Sequence, residues 1–379
     1  MKEVDYRVEQ WSEDAWLAAD KEHCQALAAS DADPLFNSWL WTTLWWRVFG
    51  SNLDAELCVL AVYRKDILVG IAPFYCRREW RKGFLLTTTV QLVGMSWRNL
   101  EVQLTEYLDI VATEDDYPAV QKICIERIKE QYPYSELIIV STRKSDVWMR
   151  VLKQQAVGRS SYVRVTDESV SRQADLADGF SAYLSKLKAS ARRSLVNLRR
   201  RLESHGKVEF VVIDAEEDAL EALHELNSLH ATRWGCIAFA GDRLEFHSKL
   251  VVAAMMQGIL QMSRLVVGGR VVSVMYDIRL GTRQYNLQMG FDQRFDSKLS
   301  LGLLHLGFSI EKAAQDGVTI YDFLAGRGKN ADYKRHLSQQ SVELGSVQYI
   351  GGYMHSCLYR SYDAFRPAKD RLLRTIKTT

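Results

Sequence analysis

The segment 259–291, ILQMSRLVVGGRVVSVMYDIRLGTRQYNLQMGF, confines the second half of the chain to few folds. Two runs rich in β-branched and aromatic residues flank Gly268-Gly269, a two-residue connection of the kind that closes a tight hairpin. A third strand reads at 283–291. LGLLHLGFSIEKAAQD (301–316) follows, helical by its apolar spacing and stopped by Gly317, and then the strand VTIYDF (318–323). A helix between two strands is a crossover connection, so 318–323 is expected to run parallel to 283–291. Ahead of the meander, LEALHELNSLHATRW reads as a helix.

The first half repeats the plan. LCVLAVY and ILVGIAPFY flank Arg64-Lys65-Asp66 as a hairpin, YLDIVA (107–112) is a strand, 114–130 a helix and ELIIVST (136–142) a strand. Upstream, in PLFNSWLWTTLWWRVFG, Leu35, Trp39, Trp45, Trp46 and Phe49 form a helical stripe ending at Gly50, a pattern that most often means core packing. The expected fold is α/β with mixed (α+β) sheets, in two tandem modules over 1–170 and 171–379. A length of 379 residues suits such a division. Nine of the ten tryptophans precede residue 150, so the halves also differ in composition.

Between the modules, residues 177–204 are expected to form one long helix. Phe180, Leu184, Leu187, Ala191, Leu195, Leu198 and Leu202 step by three and four, with no Gly or Pro among them. Lys186, Lys188, Arg192, Arg193, Arg199, Arg200 and Arg201 share the stretch. They read either as a solvated face or as a surface for an anionic partner.

Composition removes several classes. A net charge of +2 argues against a whole-molecule polyanion binder. The polar start MKEVDYRVEQWSEDAW does not read as a signal peptide, and no window approaches 18 apolar residues. The six scattered cysteines, without CxxC, suit reduced thiols in a cytoplasmic protein and give no zinc spacing. GxSxG, P-loop and GxGxxG motifs are absent, which disfavours hydrolase, nucleotidase and dinucleotide chemistry.

One constellation carries chemistry. Past Gly290, a polar loop with Arg294 and Lys298 leads through Ser300-Leu301-Gly302 into the helix. A helix's first turn offers unpaired N–H groups and the positive end of its dipole, so a pyrophosphate fits there; Ser300 also reads as a plain cap. His230 and His305, lone helical histidines, read as structural, and Glu225 and Glu245 are spare bases.

The order from ATRW through GRVVSVMYDIRL, RFDSKLSLG and YDFLAGRGKNADYK resembles the GNAT-type acetyltransferase domain of the CelD/BioF2-like group, itself related to the FemAB aminoacyltransferases. The resemblance covers about 175–340, and FNSWLWTTLWWRVFG is similar to the group's N-terminal signature. It implies acyl-CoA held between two splayed strands, 283–291 and 318–323, without a metal. The pantetheine would lie along Gln288 and Gly290. The pyrophosphate would rest on Arg294, Lys298, Ser300, Leu301 and Gly302. RFDSKLSLG departs from the family's Q/R-x-x-G-x-G/A turn, having one glycine. Arg233, Trp234 and Tyr285 would meet the acceptor, an amine such as an amino sugar or amino acid. Transfer needs a proton acceptor for the amine and a donor to the thiolate. Asp322, or merely a turn cap, is the first candidate and Tyr333, or merely an aromatic packed under the loop, the second. Lys334 would pair a phosphate or carboxylate, or lie on the surface. The group's name places such an N-acyltransferase in exopolysaccharide or cellulose biosynthesis. The alternatives are an aminoacyl-tRNA-dependent transferase of FemAB type, with RNA on the basic helix at 186–201, and a catalytically lapsed GNAT scaffold for an envelope-polysaccharide machine. The former should show a long antiparallel helical arm.

Overall fold

A computed structural model describes residues 5–81, 85–99, 101–132, 136–156, 158–326 and 329–377, with backbone alone at 159, 329–332 and 366–377. The chain forms two compact units, Met1–Glu168 with Leu344–Thr379, and Ser169–Glu343. It therefore returns to the first unit near its end, a crossing that a division into 1–170 and 171–379 does not contain.

In the first unit β1 (Tyr6–Trp11), α1 (Glu13–Ala18), α2 (Asp20–Ala28) and α3 (Trp39–Phe49) precede a meander of β2 (Ala55–Arg64), β3 (Ile67–Arg81) and β4 (Leu85–Leu92). Then come the short β5 (Val111–Ala112), α4 (Tyr117–Gln131), β6 (Glu136–Thr142) and α5 (Ser145–Gln154). β1 to β4 pair antiparallel in order, and β4 pairs β6 in parallel. The aromatic stripe is core, as its spacing requires: Trp41 and Trp45 are fully buried on α3, which Ser38 caps by accepting from Trp41 N. Most of YLDIVA is not a strand; only Val111 and Ala112 pair, against β3.

β7 (Ser161–Asp175) carries the chain into the second unit. There α6 (Gly179–Lys186), α7 (Ala189–Arg192) and α8 (Arg199–Glu203) precede β8 (Val208–Val212), α9 (Glu216–Trp234) and α10 (Asp242–Met256). The meander β9 (Leu260–Val267), β10 (Arg270–Leu280) and β11 (Arg283–Phe291) follows, then α11 (Leu301–Gln315), β12 (Ile320–Ala325) and α12 (Lys329–Leu337). Last come β13 (Gln340–Gly351), which rejoins the first unit at Leu344 and pairs with β6 from Gly345 to Ile350, and α13 (Tyr353–Lys377). β8 to β11 pair antiparallel in order, β11 pairs β12 in parallel and β12 pairs the end of β7 antiparallel. Each unit thus runs strand, helices, meander, helix, strand with its parallel pair in the same place, the two-module build that the repeated plan implied.

The helix expected over 177–204 is broken. Leu187 is extended (ψ 154°), ending α6, and a π-turn at Arg193–Asn197 separates α7 from α8. The apolar stripe found its partner within the second unit: Tyr183, Leu187, Ala191 and Leu195 share a core with Leu306, Ile310 and Phe323. The segment is one layer of that unit rather than a connecting rod. No helix among the described residues is long and apolar enough to cross a membrane.

Candidate functional site

The parallel pair of the second unit is short. β11 and β12 register only at Arg283↔Ile320, Gln284↔Tyr321 and Tyr285↔Asp322. β11 continues to Phe291 and β12 to Ala325 without further pairing, so the two strands part at their C-terminal ends. This is where open α/β sheets collect ligands. Gln288 and Gly290 lie on the unpaired length of β11, facing β10 through Tyr276↔Gln288 and Val274↔Gly290.

Two glycines bring helices onto that strand. A Cβ at Gly290 would stand 2.7 Å from Leu226 O of α9, and one at Gly302 would stand 2.6 Å from Cε1 of Phe291. The first turn of α11 therefore sits directly on the end of β11. Ser300 is its N-cap with no side-chain cap hydrogen bond, and Leu301 is buried behind it. The loop's acids are committed elsewhere. Asp292 accepts from Arg270 (2.5 Å) and from Arg294 N (2.8 Å). Asp296 accepts from Arg201 (2.8 Å), His205 (3.0 Å) and Lys298 N (2.8 Å), and these donors hold its carboxyl far below the usual range. Arg294 and Lys298 remain exposed, with no carboxylate partner among the described residues. An open helix N-terminus beside two such cations suits a pyrophosphate.

Arg233 and Trp234, from the end of α9, reach the same place. The Arg233 guanidinium lies between the rings of Trp234 (4.5 Å) and Phe291 (4.3 Å), and Trp234 is half exposed. Tyr333 is close enough to Arg233 to interact electrostatically. Burial pushes its phenol up to about 12, with Arg233 pulling the other way. Phe291, which bridges these groups and Gly302, gave no sign in the sequence beyond ending an apolar strand.

Asp322 and Lys334 lie at the point where the strands part, but both are engaged. Asp322 is fully buried; Oδ1 accepts from Ser171 (2.8 Å) and Leu324 N (2.8 Å), Oδ2 from Gln173 (2.8 Å). Leu324 is left-handed (φ 59°), a conformation a leucine holds only under constraint. Lys334 supplies part of it: it is buried and donates to the carbonyls of Phe323 (2.6 Å), Leu324 (3.1 Å) and Ala325 (3.3 Å). It is not a surface lysine; its ammonium closes the exit of β12. Tyr285 is fully buried opposite Asp322. Arg327 and Gly328, in the Gly-x-Gly stretch of YDFLAGRGKNADYK, lie outside the described residues.

Beneath the site is a polar cluster that sequence reading missed. Asp277 of β10 accepts from Tyr321 (2.5 Å), Gln284 (2.7 Å) and Asn286 (2.7 Å), tying β10, β11 and β12 together. Burial raises its carboxyl to about 6. His305 is structural, as a lone helical histidine usually is. Ser273 Oγ donates to Gly290 O (3.0 Å), so it accepts from His305 Nδ1–H (2.9 Å), and Nε2 accepts from Ser263 (2.9 Å).

The basic stretch is partly spent inside the unit. Arg192 donates to Leu187 O (2.9 Å), Arg199 pairs with Glu311 (2.6 Å), Arg201 with Asp296 and Lys186 with Asp178 (3.3 Å). Lys188, Arg193 and Arg200 are exposed. The first unit's α4 offers no comparable anion site. Its N-terminus begins at Asp116, which accepts from Tyr6 (2.8 Å) and Thr113 (2.8 Å), with Pro118 in the first turn.

Residues 189–335 match the model of the acetyltransferase (GNAT) domain family. Among solved structures, FemX is 12% identical, covering 93% of this chain and 99% of its own at a TM-score of 0.60. A conserved protein of unknown function from Bacteroides thetaiotaomicron is 12% identical over 92% and 100%, at 0.53. L-PGS from Bacillus licheniformis is 11% identical over 87% and 91%, at 0.51. No curated protein matches the chain.

Proposed function

From the GNAT acetyltransferase domain that the chain carries over residues 189–335, within a GNAT/FemAB-like fold, we propose an acyl-CoA-dependent N-acyltransferase whose donor site lies in the second unit. The observation that carries this reading is the parting of β11 and β12 after three paired positions, with the uncapped start of α11 at the mouth. The pantetheine would pair with the β12-facing edge of β11 near Gln288 and Gly290, in place of the absent strand. The pyrophosphate would take the N–H groups of Leu301 and Gly302 with Arg294 and Lys298.

Acyl-CoA when bound supplies a thioester, which an amine attacks without a covalent enzyme intermediate. Backbone N–H groups along the gap would stabilise the oxyanion, and Tyr333, which keeps its proton through the neutral range, would donate toward the departing sulfur. Asp322 fits two roles: proton acceptor for the amine, or anchor of the strained exit of β12. Its hydrogen bonds from Ser171, Gln173 and Leu324 N favour the anchor. Arg233 and the half-exposed Trp234 would form the acceptor wall, suiting an amino sugar or amino acid that carries a ring or carboxylate. A polyanion or tRNA on the basic stretch would meet Lys188, Arg193 and Arg200. α9 and α10 both bury a face, so neither makes the helical arm expected of an aminoacyl-tRNA enzyme.

The test is calorimetric titration with acetyl-CoA and CoA, followed by CoA release across a panel of amines. Saturable CoA binding that Arg294→Glu weakens is the expected result. Binding of charged tRNA but not CoA would replace the donor, and binding of neither would leave a scaffold.

A further inference from the structure

We propose that α13 docks the protein on an anionic lipid surface. One face of this helix belongs to the first unit's fold. Ser356 is buried and donates to Ile350 O (3.2 Å), Tyr359 donates to Glu136 (2.5 Å), and Arg360 donates to Ser161 O (2.7 Å). The other face carries Tyr353, Met354, Leu358 and Phe365, exposed by 62%, 67%, 41% and 72%. Met354, Leu358 and Phe365 follow at intervals of four and seven, one stripe of a helix. Single exposed apolar side chains are ordinary, but three in one stripe of one helix, with Tyr353 beside them at its start, form a patch that something covers.

Charge identifies the occupant. From Tyr353 to the end the sequence holds six basic residues (Arg360, Arg366, Lys369, Arg371, Arg374, Lys377) against Asp363 and Asp370. Asp363 is already paired with Arg164 (2.6 Å). Four net positive charges are thus gathered on this segment of a chain whose total is +2. A second copy pairing through the same face would bring two such segments together and repel. A nucleic acid would answer the cations but not the methionine, leucine and phenylalanine. A bilayer surface of anionic lipid answers both, taking apolar side chains at the acyl boundary and cations among the headgroups. The helix would lie on the surface rather than span it.

The experiment is flotation of the full chain with vesicles of phosphatidylcholine alone or mixed with phosphatidylglycerol. Binding is expected only with the anionic vesicles and should weaken in high salt. Met354→Glu with Phe365→Glu should abolish it, and Lys369→Glu with Arg371→Glu should weaken it by roughly ten-fold or more. All four positions belong to the first unit, so circular dichroism and thermal unfolding of the variants report whether that unit and its helix remain folded. Equal flotation with neutral vesicles, or none with either, sinks the proposal independently of any variant. A dimer dissolved by Phe365→Glu would assign the face to a second copy, and RNA binding lost with Lys369→Glu and Arg371→Glu would assign it to nucleic acid; either overturns the lipid.

Discussion

Gly302 opens α11 against the ring of Phe291, leaving 2.6 Å between Phe291 Cε1 and where a Cβ would stand. The same ring carries the Arg233 guanidinium at 4.3 Å. One close contact therefore sets both the helix N-terminus and the seat of Arg233, the proposed acceptor wall. Gly302→Ala should overpack it and cost about 1–3 kcal/mol. Denaturant unfolding is the check; an alanine variant as stable as the parent would mean that the helix start shifts easily. A glutamate here would test packing and charge together, so it is the poorer probe of the phosphate site.

Charge is better tested where packing is not at stake. Arg294 and Lys298 are exposed, so Arg294→Glu with Lys298→Glu should leave the melting temperature unchanged. CoA affinity should fall roughly ten- to hundred-fold, the scale of one or two charge-assisted contacts. Unaltered calorimetric affinity would move the pyrophosphate elsewhere.

Asp322→Asn and Asp322→Ala separate anchor from base. Asparagine keeps an oxygen for Ser171 and Leu324 N and can exchange donors with Gln173, so its unfolding free energy should change by less than about 1 kcal/mol. Alanine strands buried donors, each worth about 1–3 kcal/mol. If the carboxylate takes the amine proton, the asparagine variant loses roughly 10²–10⁴-fold in turnover with CoA binding intact. If it only anchors β12, turnover follows stability.

Tyr333→Phe should lower kcat by about ten-fold or more and leave the CoA dissociation constant unchanged. Because burial holds the phenol near 12, the parent's rate should not decline through loss of this proton below about pH 11. A descending limb near pH 9 that the phenylalanine variant lacks would contradict the placement.

Acid should destabilise the second unit. Burial holds His247 and His305 down to about 3, so between about pH 6.5 and 3 the unfolded chain binds protons that the folded one refuses. Stability falls with pH there by about 1.4 kcal/mol per unit for each imidazole. Asp277, raised to about 6, opposes this between about pH 6 and 3.8, where the folded state takes the proton first. Two imidazoles outweigh one carboxyl, so stability should fall steadily from about pH 6 to about pH 4, at roughly half the slope the two histidines would give alone. Denaturant titrations across this range check it, and His305→Gln should flatten the slope.

Much of the second unit was legible because its signals are local. β9, β10, β11 and α11 fall within a residue or two of the runs read from LQMSRLVV, VVSVMYDIRL, RQYNLQMGF and LGLLHLGFSIEKAAQ, since alternation and helical spacing mark a face wherever one is buried. β7 was not legible. SYVRVTDESVSRQAD is polar over most of its length, and it is a strand because β13 and, at its end, β12 pair with it.

The sequence by itself determined the order of elements from β9 to β12, the parallel crossover and the basic loop before a glycine-bearing helix. These follow from side-chain periodicity and chain connectivity. Tertiary structure alone decided what each candidate group touches. The partners of Asp322 come from residues 149 and 151 positions away, and Lys334 folds back onto three carbonyls of β12. The stretch 177–204 breaks at Leu187 and bends through a π-turn where Ala191 and Leu195 pack with Leu306 and Ile310. Whether a buried polar group is poised for chemistry or held for structure depends on which donors reach it, and those are set by contacts between segments remote in sequence.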